Sequence, residues 1–216
     1  MPRLLAPTKE QSLLLPPFGE LPDSAIHVPA SEAQMQAART ALLQQTVLGF
    51  DTESKPLFST HQVDTGPHVV QFATVDTAWL LQLHQPGARE LACEVLADAR
   101  ILKAGFGLDN DRSALQGRLG LELQNVLDLD RVFKRYGYGN SVGVRAAIAL
   151  VLGQNFHKSK RQSTSNWSVR LLSQAQKRYA ANDAHGPAMV QAALAGWEAT
   201  QPSPAPKRPS PLPQTP

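Results

Sequence analysis

Apolar and polar positions along this chain sort into short buried runs separated by longer amphipathic stretches. Val47-Leu48-Gly49-Phe50 leads into Asp51-Thr52-Glu53, and a short apolar run of this kind predicts a strand over 47–53. Further strand-like runs fall near 68–75, 77–83, 101–105 and 124–129. Helical patterns fill the intervals at about 31–45, 87–99, 110–118, 130–136 and 141–153. Ser31-Glu32-Ala33-Gln34 and Ser173-Gln174-Ala175-Gln176 have capping-box form and open the first and the last of the helices. Three early strands followed by alternating helices and strands predict an α/β fold: a mixed five-stranded sheet flanked by helices. Pro187 falls inside the last helix, removes one backbone hydrogen bond, and predicts a bend just after Asp183.

The same pattern divides the chain. Residues 1–30 are proline-rich and aperiodic and read as an extended lead-in. One domain is expected over 31–200, and residues 201–216, with seven prolines, read as a disordered tail. The loop from Lys55 to Pro67 separates the first two strands of the domain.

Carboxylates stand at three separated places in this framework. Asp51 and Glu53 are i and i+2 on a strand, so they point to the same side. Two carboxylates aimed together repel each other unless a hard cation sits between them, and Mg²⁺ or Mn²⁺ prefers oxygen ligands. Tyr179 and Asp183 are four apart on a helix and share a face. Asp111 opens a helix, where a carboxylate is also favoured electrostatically. A metal site assembled from distant segments, with a phenol beside it, points to metal-assisted hydrolysis. Gly105-Phe106-Gly107 lacks the third glycine and the Lys-Ser/Thr ending of a nucleotide loop and reads as a strand-to-helix turn. The histidines show no H-x-x-x-H spacing, and Asp128 reads as structural.

These residues resemble the 3′-5′ exonucleases of the DEDD superfamily, tyrosine subtype, the RNase D-like enzymes. The first motif, D-x-E, corresponds to Asp51-Thr52-Glu53. The second corresponds to Lys103-Ala104-Gly105 followed by Asp111, chosen over Asp109 because Leu115 stands four residues on. The third, Y-x-x-x-D, corresponds to Tyr179 to Asp183, and Ser165-Asn166-Trp167-Ser168 resembles the approach to it. The histidine subtype is disfavoured because Arg178 stands where its histidine would be. The resemblance covers roughly residues 30 to 197. It implies a ribonuclease H-like fold and two divalent cations, Mg²⁺ or Mn²⁺. Asp51, Glu53 and Asp183 would hold one ion, Asp51 being shared with the second, and Asp111 would support the second through water. Tyr179 would orient the attacking water, and a nucleoside 5′-monophosphate would leave from the 3′ end of a strand. A non-catalytic nucleic-acid-binding module on the same fold is the alternative.

Charge changes this picture in its distribution. The net charge is only +3, but no Asp or Glu occurs from Arg131 to Asn182, a stretch with ten basic residues and interleaved aromatics. That is either a groove for single-stranded nucleic acid with aromatic platforms or a solvated surface over core aromatics. Lys158, Lys160 and Arg161, in a polar loop, and Trp167 are the candidate contacts there, and Lys55 either touches phosphate or is solvated. Hydrophobic residues at 42% suffice for a core. The single Cys93 excludes an intrachain disulfide and multi-cysteine metal motifs, as expected in a reducing compartment such as the cytoplasm. No apolar run approaches the ~18 residues of a membrane span, and the N-terminus makes a poor signal peptide.

Overall fold

Strand β2 (Val47–Glu53) is where the chain's alternation matters most. Leu48 and Phe50 turn to one face of the sheet and are fully buried there, while Gly49, Asp51 and Glu53 turn to the other. The computed structural model describes residues 3–202 apart from Phe58, Thr60, His61, Gln62, Asp64 and Asn140. The expected tail from 203 onward lies outside the described residues, as does part of the loop before β3.

The sheet is mixed and six-stranded, in the order β1-β4-β3-β2-β5-β6. Strands β2, β3 (Val69–Ala73), β4 (Ala78–Gln82), β5 (Leu102–Gly105) and β6 (Val126–Asp128) are the five that the pattern predicts. The sixth, β1 (Ile26–His27), comes from the segment expected to be an extended lead-in and pairs in parallel with β4. Two residues are too few to show a period in the sequence. β2 is antiparallel to β3 and parallel to β5, which places it near the middle of the sheet.

Each face is covered by helices. On the Leu48 and Phe50 face, α2 (Glu32–Leu43) and α3 (Ala88–Ala97) pack Met35, Leu42, Leu91 and Val95 into one core with Phe72 and Leu81. On the other face lies α8 (Gln174–Ala199), whose Ala180, Ala181 and Ala184 meet Val69, Ala73 and Leu80. Small side chains let the two backbones come close. Gly49 is the tightest point: a Cβ there would lie 1.9 Å from the Ala184 carbonyl oxygen and 2.7 Å from the Ala188 nitrogen. Helix α8 continues through Pro187, which does not end it. Its far side packs on α6 (Val144–Leu152), where Gly186 faces Val144 and Ile148. Helices α4 (Asp109–Leu119), α5 (Leu129–Arg135) and the short α7 (Lys160–Ser163) lie between β5 and α8 in the chain.

Residues 3–30 run across the fold instead of leading into it. Leu4 bridges to Tyr138 and Pro17 to Asn155, and between them Thr8 caps the four-residue helix α1 (Lys9–Ser12) with a capping box. Phe18 is buried with its ring 5.3 Å from those of Phe156 and His185.

Because neither backbone at Gly49 can yield, Gly49→Ala is expected to destabilise the protein by about 3 kcal/mol, the upper end of overpacking costs. Urea denaturation followed by circular dichroism measures it.

Candidate active site

The site lies where β2 passes under α8. Asp51 and Glu53 come from the α8-facing side of β2, and Asp183 comes down from α8. Each offers a carboxylate oxygen, and these oxygens all lie within 4.8 Å of one another. Glu53 and Asp183 are buried. Both Asp183 oxygens are buried; Oδ2 meets the Lys158 ammonium at 2.9 Å, and the Tyr179 phenol interacts with the same carboxylate. Asp111, at the start of α4, stands beside this group. Its Oδ1 accepts a hydrogen bond from the Thr52 hydroxyl, so the middle residue of Asp51-Thr52-Glu53 carries the fourth carboxylate. Asp109 is exposed and pairs with Arg131 at 2.7 Å.

Crowded acids in a desolvated setting give up their protons less readily than ordinary carboxyls. Burial raises Asp51 well above the ordinary carboxylate range, and Asp183 and Asp111 raise it further. Glu53 is pushed up to about 9, by burial first and then by Asp51 and Asp183. Burial also raises Asp183 against the pull of Lys158, and raises Asp111 against the Thr52 hydrogen bond. For Lys158, burial opposes the charge, but Asp183 and Asp51 outweigh it and raise the ammonium's pKa. Tyr179 is raised by burial and by Asp183 and Glu53, so its phenol keeps its proton. Three crowded, buried carboxyl groups whose oxygens lie within 4.8 Å of one another fit a divalent cation with oxygen ligands.

Several expected contacts are placed differently from the sequence reading. Lys158 is not a free loop residue: it enters the carboxylate group, with its ammonium 5.5 Å from the centre of the Tyr179 ring. Trp167 is only 1% exposed and lies against Tyr179 at 5.9 Å, so it presents no face to a base. Phe133 and Phe156 are also core residues. The aromatics of the acid-free stretch therefore build the domain beneath a basic surface. Lys160 and Arg161, on α7, are exposed, as is Lys55. Lys103 of the second motif is buried away from solvent and donates to the Asp98 carbonyl at 2.7 Å, and burial lowers it to about 8. Gly105 of the same motif is a packing residue, since a Cβ there would meet Leu108 at 2.6 Å and the Phe50 carbonyl at 2.7 Å. Asp128 accepts from the backbone of Gly107 and Asp130 and is structural, as expected. The sequence reading missed Thr52, because a threonine between two acids on a strand carries no signal of its own.

A cleft of about 400 Å³ opens onto the carboxylates, lined by Asp51, Lys158 and Asp183 and by Phe50, Phe106 and Pro187. The sheet, with α8 across the acid-bearing strand, defines the ribonuclease H-like class of fold. The sequence model of the 3′-5′ exonuclease family matches residues 26–195, and the chain belongs to that family. Among relatives, the Exonuclease mut-7 homolog of Aedes aegypti is 29% identical over 189 residues, which are 76% of this chain and 26% of that protein. The chain thus spans about a quarter of that relative's length. The Aedes aegypti Nibbler EXO domain superposes with a TM-score of 0.70 at 23% identity, covering 83% of this chain and 91% of that one. Trypanosoma brucei RNase D in complex with RNA U12 gives 0.68 at 20% identity, covering 79% and 62%. Among the described residues no helix is long and apolar enough to cross a membrane.

The raised carboxylates set a pH dependence. Folded, metal-free protein keeps a proton on Glu53 up to about 9, whereas the unfolded chain releases it near 4.5. The favourable contribution is thus complete below 4.5 and is lost as pH rises toward 9. Metal-free protein should lose thermal stability between pH 5.5 and 8.5, and Mn²⁺ should raise Tm more at the higher pH. At a hundredfold excess over Kd the gain is about 2.7 kcal/mol. Asp183→Asn should remove the Mn²⁺ response, read by differential scanning fluorimetry.

Proposed function

We propose that this chain is a metal-dependent 3′-5′ exonuclease that hydrolyses the terminal phosphodiester of a nucleic acid strand and releases nucleoside 5′-monophosphates. The observation that carries the reading is the convergence of Asp51, Glu53 and Asp183 from β2 and α8, their oxygens within 4.8 Å. Membership of the 3′-5′ exonuclease family supports the reaction class.

The protein's own groups divide the work. Asp51, Glu53 and Asp183 would hold one divalent cation, and Asp51 with Asp111 a second. Such a pair, when bound, lowers the pKa of water and stabilises the departing 3′ oxygen. Tyr179 stands one helical turn before Asp183 with its phenol protonated, which suits it to orient a water molecule and not to deprotonate one. Lys158 pairs with Asp183 and would turn to the scissile phosphate once a metal engages that carboxylate. Thr52 fixes the Asp111 carboxylate. Lys160, Arg161 and Lys55 add exposed positive charge for the rest of the strand. The RNA-bound relative makes RNA a substrate to test beside DNA.

The test is hydrolysis of matched single-stranded DNA, duplex DNA and RNA with Mg²⁺ or Mn²⁺. Stepwise shortening from the 3′ end with release of 5′-monophosphates is expected. Asp51→Asn should fold and leave hydrolysis at background. Tyr179→Phe should keep metal affinity and lose roughly 10²-fold in kcat, the scale of one general acid–base contribution. Metal binding without hydrolysis of any of the three substrates would favour the non-catalytic binding module instead.

A further inference from the structure

The cleft over the carboxylates has a wall that the family match does not include. The match begins at residue 26. Yet Pro7 and Lys9 line the cleft together with Gly143, Val144, Arg145 and Ala146. The N-terminal segment that brings Lys9 there is fastened at both ends. At one end Leu4 N donates to Gly137 O at 3.1 Å, and Gly139 N donates to Leu4 O at 3.1 Å. At the other, Phe18 N donates to Asn155 O at 2.9 Å, and Asn155 N donates to Pro16 O at 2.8 Å. Phe18 is 6% exposed, and Ser12 is fully buried. Between the fastenings α1 is short, its N-terminus closed by the reciprocal Thr8–Gln11 capping box. An entropically costly segment is held in one place, with a cation on the cleft.

Lys9 and Arg145 are also free to act. Among the described residues neither takes part in an ion pair, whereas Lys158 in the same cleft is committed to Asp183. Lys9 is exposed, and Arg145 half-buried, so neither is a core residue with another duty. Two uncommitted cations on a cleft whose floor is carboxylate provide nothing for a cation and a grip for a phosphate next to it.

The geometry points to an N-terminal strap that completes the substrate cleft, with Lys9 and Arg145 together holding a backbone phosphate of the strand adjoining the scissile bond. The assignment rests on the exonuclease reading for the identity of the strand. It adds a binding determinant contributed by residues ahead of the family's matched region. The contact forms equally in ground state and transition state, so it acts on KM more than on kcat.

The experiment compares wild type, Lys9→Gln, Arg145→Gln, the double variant and Lys9→Arg. Steady-state cleavage of a fluorescent single-stranded oligonucleotide in Mn²⁺ gives KM and kcat. Fluorescence anisotropy in an Asp51→Asn background gives Kd against salt. Each Gln variant should raise KM and Kd roughly three- to tenfold and flatten the salt slope by about 0.7 log units, the value of one single-strand phosphate contact. The double variant should cost less than the product of the singles, because one phosphate is shared. Saturated kcat should stay within about twofold of wild type, and Lys9→Arg should restore most of the affinity. Unchanged KM, Kd and salt slope in Lys9→Gln would overturn the strap's role while leaving the exonuclease reading intact. If wild type cleaves nothing, that reading falls, and anisotropy still decides whether Lys9 contacts the strand.

Discussion

The whole site depends on how closely helix α8 lies on strand β2. Gly49 allows it, because the Ala184 carbonyl occupies the space where any other side chain would begin. The alanines at 180, 181 and 184 extend the same close contact across the sheet. This approach brings the Asp183 carboxylate down among Asp51 and Glu53, which sit two and four residues beyond the glycine on the same face of β2. A wider spacing would leave three ordinary acids near a groove. The close spacing forces their oxygens together, and everything chemical in the molecule follows from that compression.

Compression of like charges has a cost, and the fold shows how it is met without metal. Glu53 holds its proton up to about 9, and Lys158 inserts its ammonium beside Asp183. A cation supplied by the chain thus offsets part of the crowding of these acids. The arrangement is less stable than an apolar one would be, as functional sites commonly are. The protein tolerates it because the apolar cores on both faces of the sheet are continuous and well packed.

Much of this was legible in the chain. The bounds of β2 follow from its apolar run, and the shared face of Asp51 and Glu53 follows from strand geometry alone. The Tyr179–Asp183 pair follows from one helical turn within the helix that the Ser173 capping box opens. Legibility ended where placement depends on three dimensions. Lys158 lies in a polar connection with no period, so nothing local says that its side chain folds inward to Asp183. Trp167 sits among basic residues and reads as a platform, yet its ring fills the space beside Tyr179. The N-terminal segment attaches through single bridges and a two-residue strand, which leave no pattern to read. Thr52 acts through one hydroxyl whose partner, Asp111, is 59 residues away.

The central claim is that Asp51, Glu53 and Asp183 are built to surround a divalent cation. Anomalous diffraction from crystals soaked in Mn²⁺ tests it most directly. The account predicts a manganese peak with carboxylate oxygens of all three residues at about 2.1 Å, a distance typical of hard divalent cations of this size, and Lys158 withdrawn from Asp183. An empty site at saturating Mn²⁺, with Lys158 still paired to Asp183, would contradict it.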